Sequence, residues 1–389
     1  MRDLAPPPLV ERALPEGPDP GVQTAPASGA PPLPLESSRD TLAPPSLGRL
    51  PALDAARVFA TFAIVWTHVA EAQGLQPGWG ALGRFGTSFY IIAAAVFLVR
   101  SAARPARRRW WEDTKRRAQR LLTPYLVWCA IYGILYGQRA YRAGVSFHDL
   151  AFWWGPVAGT AIHLWFLPFI FVWGALGAWL APRLMKLPSF VLLTTGPLAC
   201  GFLYWFAYDY VFFAVNRYVL WDYHLHRLDR WIVEVPLFFT ALIGACCYFR
   251  LPPSTRESLA RHRLIWAALG ALIFLVAQAL YGQHLLWLKE LTHTEGRFMA
   301  NLAGLGLVTV CIAVGHTILI QRLAAWGKTT YLAFLCHMLV LEFTRIVLSW
   351  LPGYGSVATA VLSTSIVFGL SVLLALWVHR ARYLSYLRP

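Results

Sequence analysis

Apolar residues in this chain fall into long blocks of about 17 to 25 residues, the length a helix needs to cross a bilayer. The blocks cover 53–72, 82–100, 121–138, 160–181, 189–208, 231–249, 264–282, 298–320, 329–350 and 356–379. They predict an all-α fold: a polytopic integral membrane helical bundle with about ten transmembrane helices, occupying residues 51–389. Residues 1–50 break the pattern, being rich in proline with scattered Ala, Ser and Gly and no periodic apolar positions. This stretch is expected to be a disordered Pro-rich tail. It lacks the basic start and short apolar core of a cleaved signal peptide, so the first span is expected to stay as an uncleaved anchor.

Composition supports the membrane assignment. Of 389 residues, 57% are hydrophobic, 15% aromatic and only 14% charged; the mean hydropathy of +0.50 is too high for a soluble globular protein. Lys and Arg concentrate on alternate connections, beginning with 101–120, and on the C-terminal tail. Both termini are therefore expected on the cytoplasmic side. The net charge of +15 then reports topology, and with no nucleic-acid motif or soluble domain it does not point to nucleic acid. All six cysteines lie inside predicted spans, where they act as small apolar residues. No disulfide or metal-ligand spacing is visible. With no Gly-rich phosphate loop or dinucleotide fingerprint, no permanently bound cofactor is expected.

Against this apolar background a few polar residues stand out. Arg57 and His68 share the first span, "LDAARVFATFAIVWTHVAEA". Eleven helical steps return them to nearly one face, about 16 Å apart along the axis. Such residues are costly in hydrocarbon and commonly belong to a pathway or reaction; the alternative is that Arg57 snorkels to the interface and His68 caps the other end. Asp54 and Arg57 are one turn apart and spaced to pair, and Glu71 lies one turn beyond His68, where it either orients the ring or is an interfacial carboxylate.

Arg117 and Arg120 share a helix face in "RSAARPARRRWWEDTKRRAQRLLTPYLVW". Two guanidiniums there suit a phosphate-rich ligand, and equally an anionic membrane lipid. In "AIHLWFLPFIF", His163 and Trp165 fit an interfacial belt. Span nine carries His337 together with Glu342 and Arg345, and the last two are spaced as an ion pair. The connection 209–230 mixes aromatic and polar residues that suit either a sugar or an interfacial helix.

Taken together, these segments resemble acyltransferase family 3, the integral membrane O-acyltransferases that include exopolysaccharide O-acetylases and glucan succinyltransferases. "LDAAR" followed by His68 is similar to the family's Leu-Asp-x-x-Arg start and its His. Arg117 and Arg120 match its Arg-x-x-Arg, "HLWFL" resembles the glucan-modifying branch, and "YLAFLCHMLVL" resembles its Tyr-x-x-x-x-x-His segment. Span two departs from the pattern, reading "FYIIAA" where many members have Phe-Phe-x-x-Ser-Gly.

The resemblance implies an enzyme of a bacterial inner (plasma) membrane, with acyl-CoA (acetyl-CoA or succinyl-CoA) as donor and a hydroxyl of an envelope or exported glycan as acceptor. Arg117 and Arg120 would hold the donor, and its pantetheine arm would pass Arg57. His68 and Arg57 would be the catalytic residues, His68 as general base, with an acyl-His intermediate as a second route. Asp54, Glu71, His163, Trp165 and His337 would support substrate or structure. Membrane lipid and envelope polysaccharide-synthesis proteins are candidate partners. Two alternatives stay open: a polysaccharide or lipid-linked sugar flippase, which would carry buried charges too but often shows inverted repeats, and a non-catalytic subunit of an envelope complex.

Overall fold

The computed structural model describes residues 51–103, 110–142, 144, 160–161, 163–206, 226–287, 293–314 and 318–381. The proline-rich tail and most of the 209–230 connection lie outside them. Every regular element among the described residues is helical. In chain order these are α1 (Pro51–Ala72), α2 (Pro77–Ala81), α3 (Phe85–Ala102), α4 (Trp110–Arg142), α5 (Phe166–Leu184), α6 (Ser189–Trp205), α7 (His226–Arg250), α8 (Pro253–Arg261), α9 (Arg263–Trp287), α10 (His293–Val314), α11 (Ile318–Trp326), α12 (Thr330–Leu348) and α13 (Val357–Arg380).

The chain is an all-α polytopic membrane bundle. Among the described residues six helices are long and apolar enough to cross a membrane: α1, the α2–α3 segment, α5, α9, α12 and α13. A seventh is reached if α7 and α8, bent by 107°, form one broken span. The remainder of the expected ten differ for physical reasons. The apolar half of α4 is diluted by Pro124, Tyr125, Tyr132 and Tyr136, while α6 and the apolar part of α10, Phe298–Val314, are short.

At the centre stands α1, which packs against α3, α11, α12 and α13. It opens with Pro51 and carries Asp54 in its first turn, both suited to a helix N-terminus. Its far end closes on Gly74, at φ +68°. The Leu75 amide donates to Ala70 O at 3.0 Å and the Gly74 amide to Glu71 O at 3.1 Å, the paired bonds of a glycine-terminated helix. His68 and Glu71 thus occupy the last turns of a well-stopped helix.

Close backbone contact fixes α3 on α1. A Cβ on Gly86 would stand 2.5 Å from Ala60 O, so only glycine lets the two chains meet there. In turn α3 packs on α5, α7 and α10. The main core gathers Phe89, Ile91, Val99, Trp165, Phe169, Phe238 and their neighbours around α3, and a second core joins α4, α12 and α13 through Trp128, Tyr132, Leu332 and Leu335.

At the periphery, α9 and α10 form a pair of their own. A Cβ on Gly270 would meet Gly306 O at 2.8 Å, and one on Gly306 would meet Gly270 O at 2.6 Å. Small residues are what allow helices in lipid to approach this closely. The outer face of α9 exposes Leu264, Ile265, Leu272 and Leu275, as a lipid-facing surface requires.

Candidate active site

At the start of α4, a cavity of about 220 Å³ opens between α3, α4 and α5, lined in part by Ser101, Trp110, Asp113, Arg116, Arg117 and Arg120. The Trp110 indole N–H donates to Ala175 O at 2.9 Å and ties the start of α4 to α5. A Cβ on Gly174 would lie 2.6 Å from a terminal nitrogen of Arg117, so the missing side chain is the space that the guanidinium fills. Burial, and next the Arg120 cation, push Arg117 below the ordinary arginine range, while Asp113 opposes them. An anion entering here relieves that repulsion.

Pro124 has no N–H for the Arg120 carbonyl four residues earlier. The Tyr331 hydroxyl approaches that carbonyl, and Leu121 O, at 3.5 Å. Family patterning marked two arginines of this cavity; Arg116, one step round the helix, had no spacing signal.

On α1, Arg57 donates to the Asp54 carboxylate at 3.0 Å and lies 5.3 Å from the ring centroid of Phe97 on α3, the residue before the cavity residue Leu98. The expected Asp54–Arg57 pair is therefore present, with Asp54 buried and Arg57 about one-third exposed. The hydroxyls of Thr61 and Tyr90 are 2.7 Å apart, and both lie within hydrogen-bonding distance of Arg57 O, at 2.8 and 3.1 Å. Tyr90 occupies the segment that departs from the family pattern, and its hydroxyl now belongs to this polar step.

Farther along α1 three imidazoles converge. His68 stacks on His337 with centroids 5.4 Å apart, His163 meets His337 at 4.7 Å, and His68 and His163 are 6.4 Å apart. His163 reaches the cluster from the turn before α5, which is pinned where Thr160 donates to Cys129 O at 2.8 Å. It is buried, which removes it from an interfacial belt. His337 is fully buried on α12, its Nδ1 2.6 Å from Phe334 O. Among the described residues no polar group reaches its Nε2.

Glu71 faces Nδ1 of His68 at 3.6 Å and Arg84 at 3.9 Å. The first gap exceeds a hydrogen bond, and Glu71 is half exposed, so this contact is a weak orienting one. Trp165 does not join the imidazoles; it is buried against Phe166 and Phe169 in the main core. On α12, Glu342 is half-buried and Arg345 exposed.

Arg57 and His68 thus follow one another along α1, His163 and His337 gather around the second of them, and the basic cavity opens beside α3, a helix packed on α1, an arrangement suited to a long ligand with an anionic head. A family model described as an acyltransferase domain matches residues 50–380. The chain belongs to acyltransferase family 3. No curated protein and no solved structure matches it significantly. A membrane acyltransferase needs an acyl donor, an acceptor and a group to move a proton between them. In this family member, the residues legible in the sequence fall in two places, Arg57 and His68 on α1 and Arg117 and Arg120 in the cavity, whereas Thr61 and Tyr132 carried no signal and Tyr90 only that of a departure from the family pattern. Aromatic and hydroxyl residues inside apolar runs are too common to notice until a fold brings them together.

Proposed function

We propose that this acyltransferase moves an acetyl or succinyl group from cytoplasmic acyl-CoA to a hydroxyl of an envelope or exported glycan, with His68 as general base. The reading is supported by Arg57 and His68 in order along α1 and by the basic cavity that α3, packed on α1, forms with α4 and α5. The phosphates of the donor would bind Arg117 and Arg120. The excess of Lys and Arg on the same connections supports a cytoplasmic position for that end. The pantetheine arm would pass Arg57, whose distance to His68 is about 16 Å of helix rise.

Chemistry at the far end needs one proton moved twice. His68 takes the proton of the acceptor hydroxyl as its oxygen attacks the thioester carbonyl. The tetrahedral adduct then collapses, the carbon–sulfur bond breaks, and the imidazolium returns the proton to the departing thiolate. With Nδ1 turned toward Glu71, Nε2 is the nitrogen for this work.

The test is turnover of acetyl- and succinyl-CoA by the purified chain in nanodiscs with a panel of envelope glycans. Thiol release coupled to ester formation, lost in folded His68→Ala, is expected. A chain that binds no donor, or a His68→Ala variant with full turnover, would overturn the assignment and favour a flippase or a non-catalytic subunit.

A further inference from the structure

Tyr132 is fully buried in α4, and its hydroxyl sits across one rung of α12. It donates to Leu335 O at 2.8 Å and accepts from the Leu339 amide at 3.0 Å. Those two groups are the i and i+4 partners that a helix ordinarily joins to each other. The same Leu335 carbonyl lies 3.2 Å from Nε2 of His163. The Tyr132 and His163 rings meet edge-on with centroids 5.4 Å apart. His337 lies on the α12 turn between Leu335 and Leu339, so one phenol grips the segment from which both neighbours of His68 are held.

The contacts determine where the protons are. A carbonyl oxygen only accepts, so His163 must donate from Nε2, and in a neutral ring its lone pair is then on Nδ1. By the same rule the Phe334 contact puts the proton of His337 on Nδ1 and the lone pair on Nε2. Two neighbouring imidazoles are thus set in opposite tautomers beside the ring that has to exchange a proton. Tautomer choice by a partner of the second nitrogen is a general way to orient a histidine.

We infer that Tyr132 is a positioning residue for acyl transfer: by bridging Leu335 and Leu339 it fixes the carbonyl that selects the His163 tautomer and the turn that carries His337. This rests on the acyl-transfer reading of the cluster. A phenol is suited to the task because its hydroxyl donates and accepts at once while its ring fills an apolar site. Phenylalanine fills the same space and does neither.

The experiment uses the full chain in nanodiscs with ring-¹⁵N histidine, the His163 and His337 signals being assigned by their loss in His163→Gln and His337→Gln. In the unaltered protein His163 is expected protonated at Nε2 and His337 at Nδ1. In Tyr132→Phe, His163 becomes a tautomer mixture and kcat falls on the order of 10- to 100-fold, while donor KM stays within about twofold. An unchanged kcat overturns the inference, and so does a fall in kcat with the His163 tautomer intact. Should Tyr132→Phe fail to fold, the spectrum of the unaltered protein decides, since a His163 protonated at Nδ1 is incompatible with the proposal. Turnover surviving in His68→Ala would defeat the acyl-transfer reading instead, and the tautomer measurement would still stand on its own.

Discussion

His68 and His337 come from opposite ends of the chain, yet their rings lie within 29° of parallel with centroids 5.4 Å apart. One ring is on a helix end close to polar groups, with Glu71 nearby; the other is fully buried. Two imidazoles with such different surroundings suit different parts of one proton transfer.

Removing them should therefore have unequal effects. His68→Ala is expected to lower kcat by roughly 10²- to 10⁴-fold, the range for loss of a general base. His337→Phe keeps a ring of similar shape in the buried site and is expected to lose activity with a smaller change in the melting temperature than His337→Ala. Thiol release and thermal unfolding of the same preparations check both.

Arg57 and Asp54 should behave as a pair. Arg57→Met leaves a buried carboxylate without its 3.0 Å partner, a cost of about 1–3 kcal/mol. Adding Asp54→Asn removes the buried charge and should restore part of that stability but none of the activity. A double variant no more stable than Arg57→Met would show that the Asp54 charge is not what Arg57 offsets.

Gly174→Ala tests the basic cavity without replacing an arginine. Its Cβ would stand 2.6 Å from the Arg117 guanidinium, and the flexible head must move. Donor KM is expected to rise about tenfold, the equivalent of about 1.4 kcal/mol, with kcat unchanged. Arg117→Lys should raise KM as well, because a point charge does not replace a planar fork. Donor titrations at two salt concentrations would check that the interaction is electrostatic.

Gly86→Ala should do global damage instead. The clash is with the Ala60 carbonyl, backbone against side chain with no flexible end to yield. A loss of about 1–3 kcal/mol or more is expected, together with lower kcat, as α1 shifts under Arg57 and His68. Thermal unfolding in detergent measures the first effect and turnover the second.

The sequence made local relationships visible and left distant ones hidden. Arg57 and His68 were legible as a stripe because the helical period alone puts them on one face, and Asp54–Arg57 was legible from its one-turn spacing. Arg117 and Arg120 were legible for the same reason. His163 was ambiguous, since a His-Trp pair at a span end also describes an interfacial belt. Only its burial against Leu335 O, on a helix far away in sequence, removes that alternative. Trp165, next but one in sequence, points into the main core instead. Span counting was least faithful where tyrosines interrupt an apolar run, as in α4: hydropathy scores their hydroxyls as a penalty, although Tyr132 spends its hydroxyl on α12 and buries its ring in the second core.

The glycine contact between α9 and α10 bears on how the molecule is assembled. Gly270 and Gly306 let these helices satisfy one another's packing, while the outer surface of α9 is left to lipid. The docking of the pair runs mainly through α10, where a Cβ on Gly304 would stand 2.9 Å from the Phe89 amide nitrogen and Ser88 donates to Asn301 Oδ1 at 2.7 Å, with Phe274 against Phe85 and Gln278 donating to Leu82 O beside them, so the pair has one side made for the bundle and one made for lipid.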